Sequence, residues 1–176
     1  YYRAMFVRNT SVLNPEPLDA LIDEFAEMAE KYSLVADSLY NEGLLFYNME
    51  SYNVSSALFE KVLQKLGNSR LNLCVGSLKY LACSAAKSRM AEKAVEYLCK
   101  AIEIKEKHPD DVPGYSLWGL YDDMESVLRE SGRHGEAFEW SRRIVNLLKK
   151  DGDAGQLAGA YNVHGINAHS MLRNEN

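Results

Sequence analysis

Proline is scarce in this chain, four among 176 residues, and the four fall in two pairs, Pro15 with Pro17 and Pro109 with Pro113. Proline breaks a helix by removing a backbone donor and clashing with the preceding turn, so the long stretches between the pairs are open to helix. Cysteine is scarcer. Cys74, Cys83 and Cys99 are odd in number and form no C-x-x-C pair, which argues against a disulfide framework and for a reducing compartment. Helical apolar cysteines are commonly small core residues, and that is the expectation for these three. No apolar run approaches the ~18 residues of a membrane span, and the opening YYRAMFVRN lacks the order of a signal peptide. The expected location is cytoplasmic, with no membrane contact. The chain opens on Tyr1 rather than methionine, which predicts a piece cut from a longer protein.

Catalytic patterns are missing too. There is no Gly-rich phosphate loop, no G-x-S-x-G elbow and no H-E-x-x-H. His164 and His169 are five apart, on different faces of a helix, which disfavours shared metal ligation. The pairs Asp110–Asp111 and Asp122–Asp123 lack further oxygen ligands at loop spacing. His134 and Glu136 could be offered as an acid and base, but they fall in the turn that leads into a helix, where capping or solvation is their ordinary role. The expectation is no enzyme, no cofactor and no metal.

What is present is an ordinary folded composition, 47% hydrophobic and 26% charged, with a net charge of −5. The charge is segregated. Residues 1–60 carry −7, residues 61–107 carry +6 and residues 108–176 carry −4. Overall acidity argues against a nucleic-acid partner, while the basic centre either faces solvent or attracts an acidic peptide.

Apolar residues recur at helical spacing. Leu58, Phe59, Val62, Leu63 and Leu66 form one stripe; Ala94, Leu98, Ala101 and Ile102 form a second; Ala137, Ser141, Ile144, Val145 and Leu148 form a third. The small residues that open them, Ser55, Ala94 and Ala137, are 39 and 43 residues apart, and each is followed four and seven residues later by a matching position. Twelve residues upstream of each lies another helical segment, around Gly43, Ala82 and Glu125. The unit is therefore helix, turn, helix, and it repeats. AYNVHGINAHSML starts the pattern again, with Gly165 in the place of Gly43. PLDALIDEFAEMAEKY, preceded by the Asn14–Pro15 turn, reads as the second helix of a degenerate first unit.

Leu39, Gly43, Phe46, Ser55, Phe59 and Val62, echoed by Tyr161, Gly165 and Ala168, resemble the large-small-large and small-aromatic-small pattern of the tetratricopeptide repeat. KAIEIKEKHPDDV followed by SGRHGEAFEWSRRIV is similar to the longer repeats of the kinesin light chain type. The resemblance runs over residues 33–176. Ala82 and Glu125 depart from it at the glycine, Ser141 at the aromatic, and spacings near 40 exceed the usual period of about 34 residues. DDVPGYSLWGL, residues 110–120, is the expected insertion, with Pro113 and Gly114 marking its turn.

The resemblance implies an all-α fold, a right-handed α-α superhelix of helical hairpins in a single array, with units at about 1–32, 33–67, 69–107 and 114–150 and a half unit at 154–176. It implies a concave face lined by the first helix of each unit. Counted from the family pattern, the candidate binding residues there are Tyr40, Leu44, Tyr47 and Asn48, then Lys79, Cys83 and Lys87, then Asp122, Ser126 and Arg129, then Asn162, Ile166 and His169. Members that grip a carboxylate terminus use lysines and asparagines at fixed positions; Lys79 stands at one, but Cys83 replaces an asparagine. The expected function is a scaffold for a protein or peptide partner. The alternatives are the sensory or regulatory region of a larger bacterial signalling protein, and self-association through a terminal repeat. Trp118 and Trp140 are expected in the core or at seams between units.

Overall fold

A computed structural model describes residue 23, residues 35–67 and residues 70–174. Except for Asp23, the first unit expected over residues 1–32 lies outside the described residues. These form seven helices and no strand: α1 (Val35–Asn48), α2 (Tyr52–Leu66), α3 (Leu71–Lys87), α4 (Ala91–Lys107), α5 (Leu117–Glu130), α6 (His134–Asp151) and α7 (Ala154–Asn174). Helices pair as α1 with α2, α3 with α4 and α5 with α6, each pair stacks on the next, and α7 packs on α6. This is the packing of a helical repeat solenoid.

Each second helix exists because its stripe finds a floor. Leu58, Phe59, Val62 and Leu66 on α2, Ala94, Leu98, Ala101 and Ile102 on α4, and Ala137, Ser141, Ile144, Val145 and Leu148 on α6 are all buried. The small residue at the head of each stripe is fully buried. Ser55 Oγ donates to the Gly43 carbonyl at 3.0 Å, and a Cβ on Gly43 would lie 2.9 Å from the Phe59 ring. Ala94 and Ala137 are fully buried. A hairpin buries only one of its faces by itself, and stacking supplies the rest.

The turn inside each hairpin repeats in backbone detail. Glu50, Arg89 and Gly132 all have positive φ, at 60°, 60° and 79°. In each turn the next residue's N–H returns to a carbonyl five residues back, Ser51 to Phe46, Met90 to Ala85 and Arg133 to Leu128, at 2.8–2.9 Å. That bond closes the helix end with a left-handed residue.

The connection between α4 and α5 is longer than its counterparts, and it is tied down. Lys105 Nζ donates to the carbonyls of Pro109 and Val112 at 2.7 and 2.8 Å. Gly114 N–H donates to Asn72 Oδ1 at 3.0 Å, Val112 is fully buried, and Ser116 caps α5 by accepting from Gly119 N–H at 3.2 Å. Tyr115 reaches back across α3 to share a hydroxyl–hydroxyl hydrogen bond of 2.9 Å with Tyr40. Gly76 makes the room, because a Cβ there would fall 2.3 and 2.5 Å from the two hydroxyl oxygens. The insertion thus bolts the α3–α4 hairpin to the α1–α2 hairpin.

Of the cysteines, Cys74 is buried and Cys83 half-buried, but Cys99 is exposed. The core expectation fails for Cys99 because the neighbouring Leu98 takes the inward face of α4.

Candidate functional site

Three seams join successive first helices, α1 to α3, α3 to α5 and α5 to α7, and each rests on the second helix between them. The periods of 39 and 43 residues put Tyr40, Lys79 and Asp122 at one structural position, with Phe59, Leu98 and Ser141 at a second. In α7 burial sets the register. Leu78, Ala82 and Ala85 are buried on α3, as are Tyr121, Glu125 and Leu128 on α5; the same spacing on α7 falls on buried Ala160, half-buried His164 and buried Asn167. Gly165 is exposed, with open space where a Cβ would stand, and Tyr161 is 48% exposed. The α7 register therefore differs by one residue from the Tyr161–Gly165–Ala168 match in the sequence. An exposed tyrosine, a glycine and an alanine carried that match, whereas a histidine and an asparagine pack inward.

On this register Tyr80, Asp123 and Asn162 form the third position, across each seam from the first. The first seam is filled by aromatic rings. Tyr80 stacks on Phe59 at 5.3 Å between centroids, and Tyr40 meets Phe59 edge-on at 5.4 Å. Tyr47 packs edge-on against Tyr80 and Tyr52. Desolvation, reinforced by the Tyr115 hydroxyl, holds the Tyr40 phenol far above its ordinary range; burial pushes Tyr47 up to about 12. Both stay neutral. The second seam is closed by an ion pair, Lys79 Nζ to Asp123 at 2.7 Å, with both side chains mostly covered. Burial of Lys79 opposes its charge and the Asp123 carboxylate supports it, with a net raised pKa.

The third seam is open. Asp122, Ser141 and Asn162 stand where rings or an ion pair stand elsewhere, and they line a cavity of about 340 Å³ whose walls include Trp118, Ile144, Leu148 and Val163. Asp122 lies at the surface of this cavity and has no ion pair among the described residues. Partial desolvation first, then the nearby Glu125 and Asp123 carboxylates, raise its pKa above the ordinary carboxylate value. Behind the cavity, Ser141 donates its hydroxyl to the Phe138 carbonyl at 2.8 Å. His164 Nδ1, 2.8 Å from the same oxygen, must therefore carry the proton it offers to Ser141. That arrangement uses up the serine proton, so the pair is a strut, with the imidazole also stacked on Phe138 at 4.5 Å.

A buried polar cluster lies beside it. Glu125, 2% exposed, accepts from Arg129 Nε at 3.0 Å and from Asn167 Nδ2 at 2.8 Å. Sequence reading placed Glu125 at the glycine position and passed over Asn167. The spacing of 42 residues between them, close to the repeat period, was the available signal.

The thirteen candidate residues thus divide. Tyr40, Tyr47, Lys79 and Arg129 are engaged inside the array, and Ser126 donates to Glu130 at 3.2 Å. Leu44 is half-buried. The half-buried Cys83 thiol is raised in pKa by burial and by Asp123, which makes it a poor nucleophile. Asn48, Lys87, Asp122, Asn162, Ile166 and His169 are exposed. Lys87 borders a separate cleft of about 530 Å³ with Arg89, Val127 and Glu130, and Asp122 and Asn162 share one cavity. Trp118 lines the third seam, and Trp140 packs edge-on against Tyr121 at 5.0 Å.

Residues 81–108, the second half of α3 with α4, match the sequence model of the tetratricopeptide repeat family. They span the small positions Ala82 and Ala94 and the stripe Leu98, Ala101 and Ile102. This stretch is a tetratricopeptide repeat. The match is to the general repeat and carries nothing about the longer kinesin-light-chain subtype. Tetratricopeptide repeats are typically non-enzymatic scaffolds for protein interaction, and that general class is what the match supports. No curated protein matches the chain at a significant level. Among the described residues no helix is long and apolar enough to cross a membrane, and no group of three or more His, Cys, Asp or Glu side chains could hold a metal ion.

Proposed function

We propose that this chain is a scaffold that receives a protein or peptide partner on the face formed by its first helices, α1, α3, α5 and α7. The supporting observation is the open third seam, a concave pocket with apolar walls and a few polar groups, at the lower end of the size range of binding pockets. The packed first and second seams act as a rigid frame beside it, so ordering the scaffold adds little to the cost of binding. Catalysis is no part of this reading, because the serine and thiol nearest the groove are tied up or raised in pKa.

Selection from a random peptide library displayed on phage tests the proposal. Affinities of the selected peptides are expected to fall about tenfold or more, ~1.4 kcal/mol, with Asp122→Arg or Asn162→Arg, and to stay unchanged with Glu96→Lys or Glu103→Lys on exposed positions of α4. Equal sensitivity to both sets, or to neither, overturns the first-helix face. A second reading, self-association, draws on α7, where Tyr161, Ile166 and Leu172 are 48%, 50% and 57% exposed. Sedimentation velocity over a concentration series distinguishes a monomer from a dimer built on that helix.

A further inference from the structure

Equivalent positions in the three seams hold different chemistry around one geometry. The first has Tyr40, Phe59 and Tyr80 in ring contact. In the second, buried Leu98 holds the position of Phe59, and an ammonium and a carboxylate, Lys79 and Asp123, are paired at 2.7 Å. At the third there is a carboxylate, Asp122, and an amide, Asn162, above the short side chain of Ser141, with a cavity of about 340 Å³ between them. What the third lacks relative to the second is the cation and its aliphatic stem. The neighbouring seam demonstrates that an ammonium–carboxylate pair fits at this level of the fold.

The walls suit such a guest. Trp118, Ile144, Leu148 and Val163 are apolar and face the cavity, which is the surface that the methylenes of a long basic side chain cover while the charged head stays near water. The Trp118 indole adds an aromatic face of the kind that attracts a cation. Asp122 has no ion pair of its own among the described residues, and the Glu125 and Asp123 carboxylates near it outweigh the Lys79 and Arg129 charges, so the local field favours a positive guest.

We propose that the cavity between α5, α6 and α7 is a socket for a lysine or arginine side chain of a partner segment, its charged head paired with Asp122 and its stem laid against Trp118, Ile144 and Leu148. The socket rests on the reading of the first-helix face as the partner surface, and it names the side-chain class that this surface selects.

The test uses the whole chain, labelled with nitrogen-15, titrated separately with the Nα-acetyl N-methylamides of lysine, arginine and norleucine. The lysine and arginine compounds are expected to give saturable amide shifts at Asp122, Ala160 and Asn162 and at the Trp118 indole, and norleucine, which has the stem without the charge, at least tenfold weaker binding. Asp122→Asn removes the charge, and Ser141→Phe fills the cavity as Phe59 does; both are expected to abolish the shifts while circular dichroism shows the helices intact. No saturable shift with either cation, or an equal response to norleucine, overturns the socket. The two proposals fail separately. Groove-dependent peptides with no response to the cationic compounds would sink the socket alone, and a saturable cation response without groove-dependent peptides would sink the scaffold reading alone.

Discussion

Partial desolvation and the nearby Glu125 and Asp123 carboxylates hold the Asp122 proton above the ordinary value of 3.8. A carboxylate whose folded pKa lies above its unfolded one costs stability wherever it is ionised in the fold. Below the unfolded value both states are protonated and the cost vanishes; it grows as pH rises from there and is complete above the raised folded value. Asp122→Asn is therefore expected to be more stable than the parent at about pH 7 and equal to it at about pH 3, as read by urea melts at both. A gain at the lower pH as well would show that packing, and not ionisation, is the cause. A side chain that destabilises the fold while lining an open cavity is the usual trade between stability and binding.

Among the elements, the hairpin turns isolate one backbone requirement from everything else. Glu50, Arg89 and Gly132 occupy the same left-handed position with the same returning hydrogen bond, yet only the third is glycine. A side chain in that conformation costs roughly 1–2 kcal/mol, offset in part by the greater freedom glycine has when unfolded. Glu50→Gly and Arg89→Gly are each expected to stabilise by about 0.5–1 kcal/mol, and Gly132→Ala to destabilise by about 1 kcal/mol, measured by denaturant melts. The first two residues are exposed, so lost packing does not confuse the result. A loss in either glycine variant would show that its side chain makes a contact worth more than the strain.

At the scale of the whole array, stability is a sum of hairpin terms and seam terms, and the three seams are unequal. The first is aromatic and bolted by Tyr115, the second is closed by the Lys79–Asp123 ion pair, and the third holds a cavity beside the Glu125–Asn167 cluster. Helix α7 is expected to open before α3 and α4. Its most protected amides should exchange with solvent at least tenfold faster than theirs, ~1.4 kcal/mol in opening free energy, by native-state hydrogen exchange. Pairing Asp122 with a bound cation should narrow that gap. Equal protection throughout would mean that the array opens as one unit.

How much of this was legible depended on the distance between the residues that interact. The stripes on α2, α4 and α6 and the small residues Ser55, Ala94 and Ala137 follow from spacing within one helix or across one short turn, so the sequence by itself determined the helices, the hairpin and the period. It also marked the insertion, because Pro113 and Gly114 act locally, but drew it through residues 117–120, which belong to α5. The contents of the seams were decided only by the tertiary structure. Tyr40 with Tyr115, Lys79 with Asp123 and Glu125 with Asn167 are between 42 and 75 residues apart, and nothing local in either partner says which one it meets. The same reason explains the slip on α7, where an inward histidine and asparagine mimic a surface pattern. Local periodicity chooses which face of a helix is apolar, but contact across units chooses whether a polar side chain on that face is filled, paired or left open.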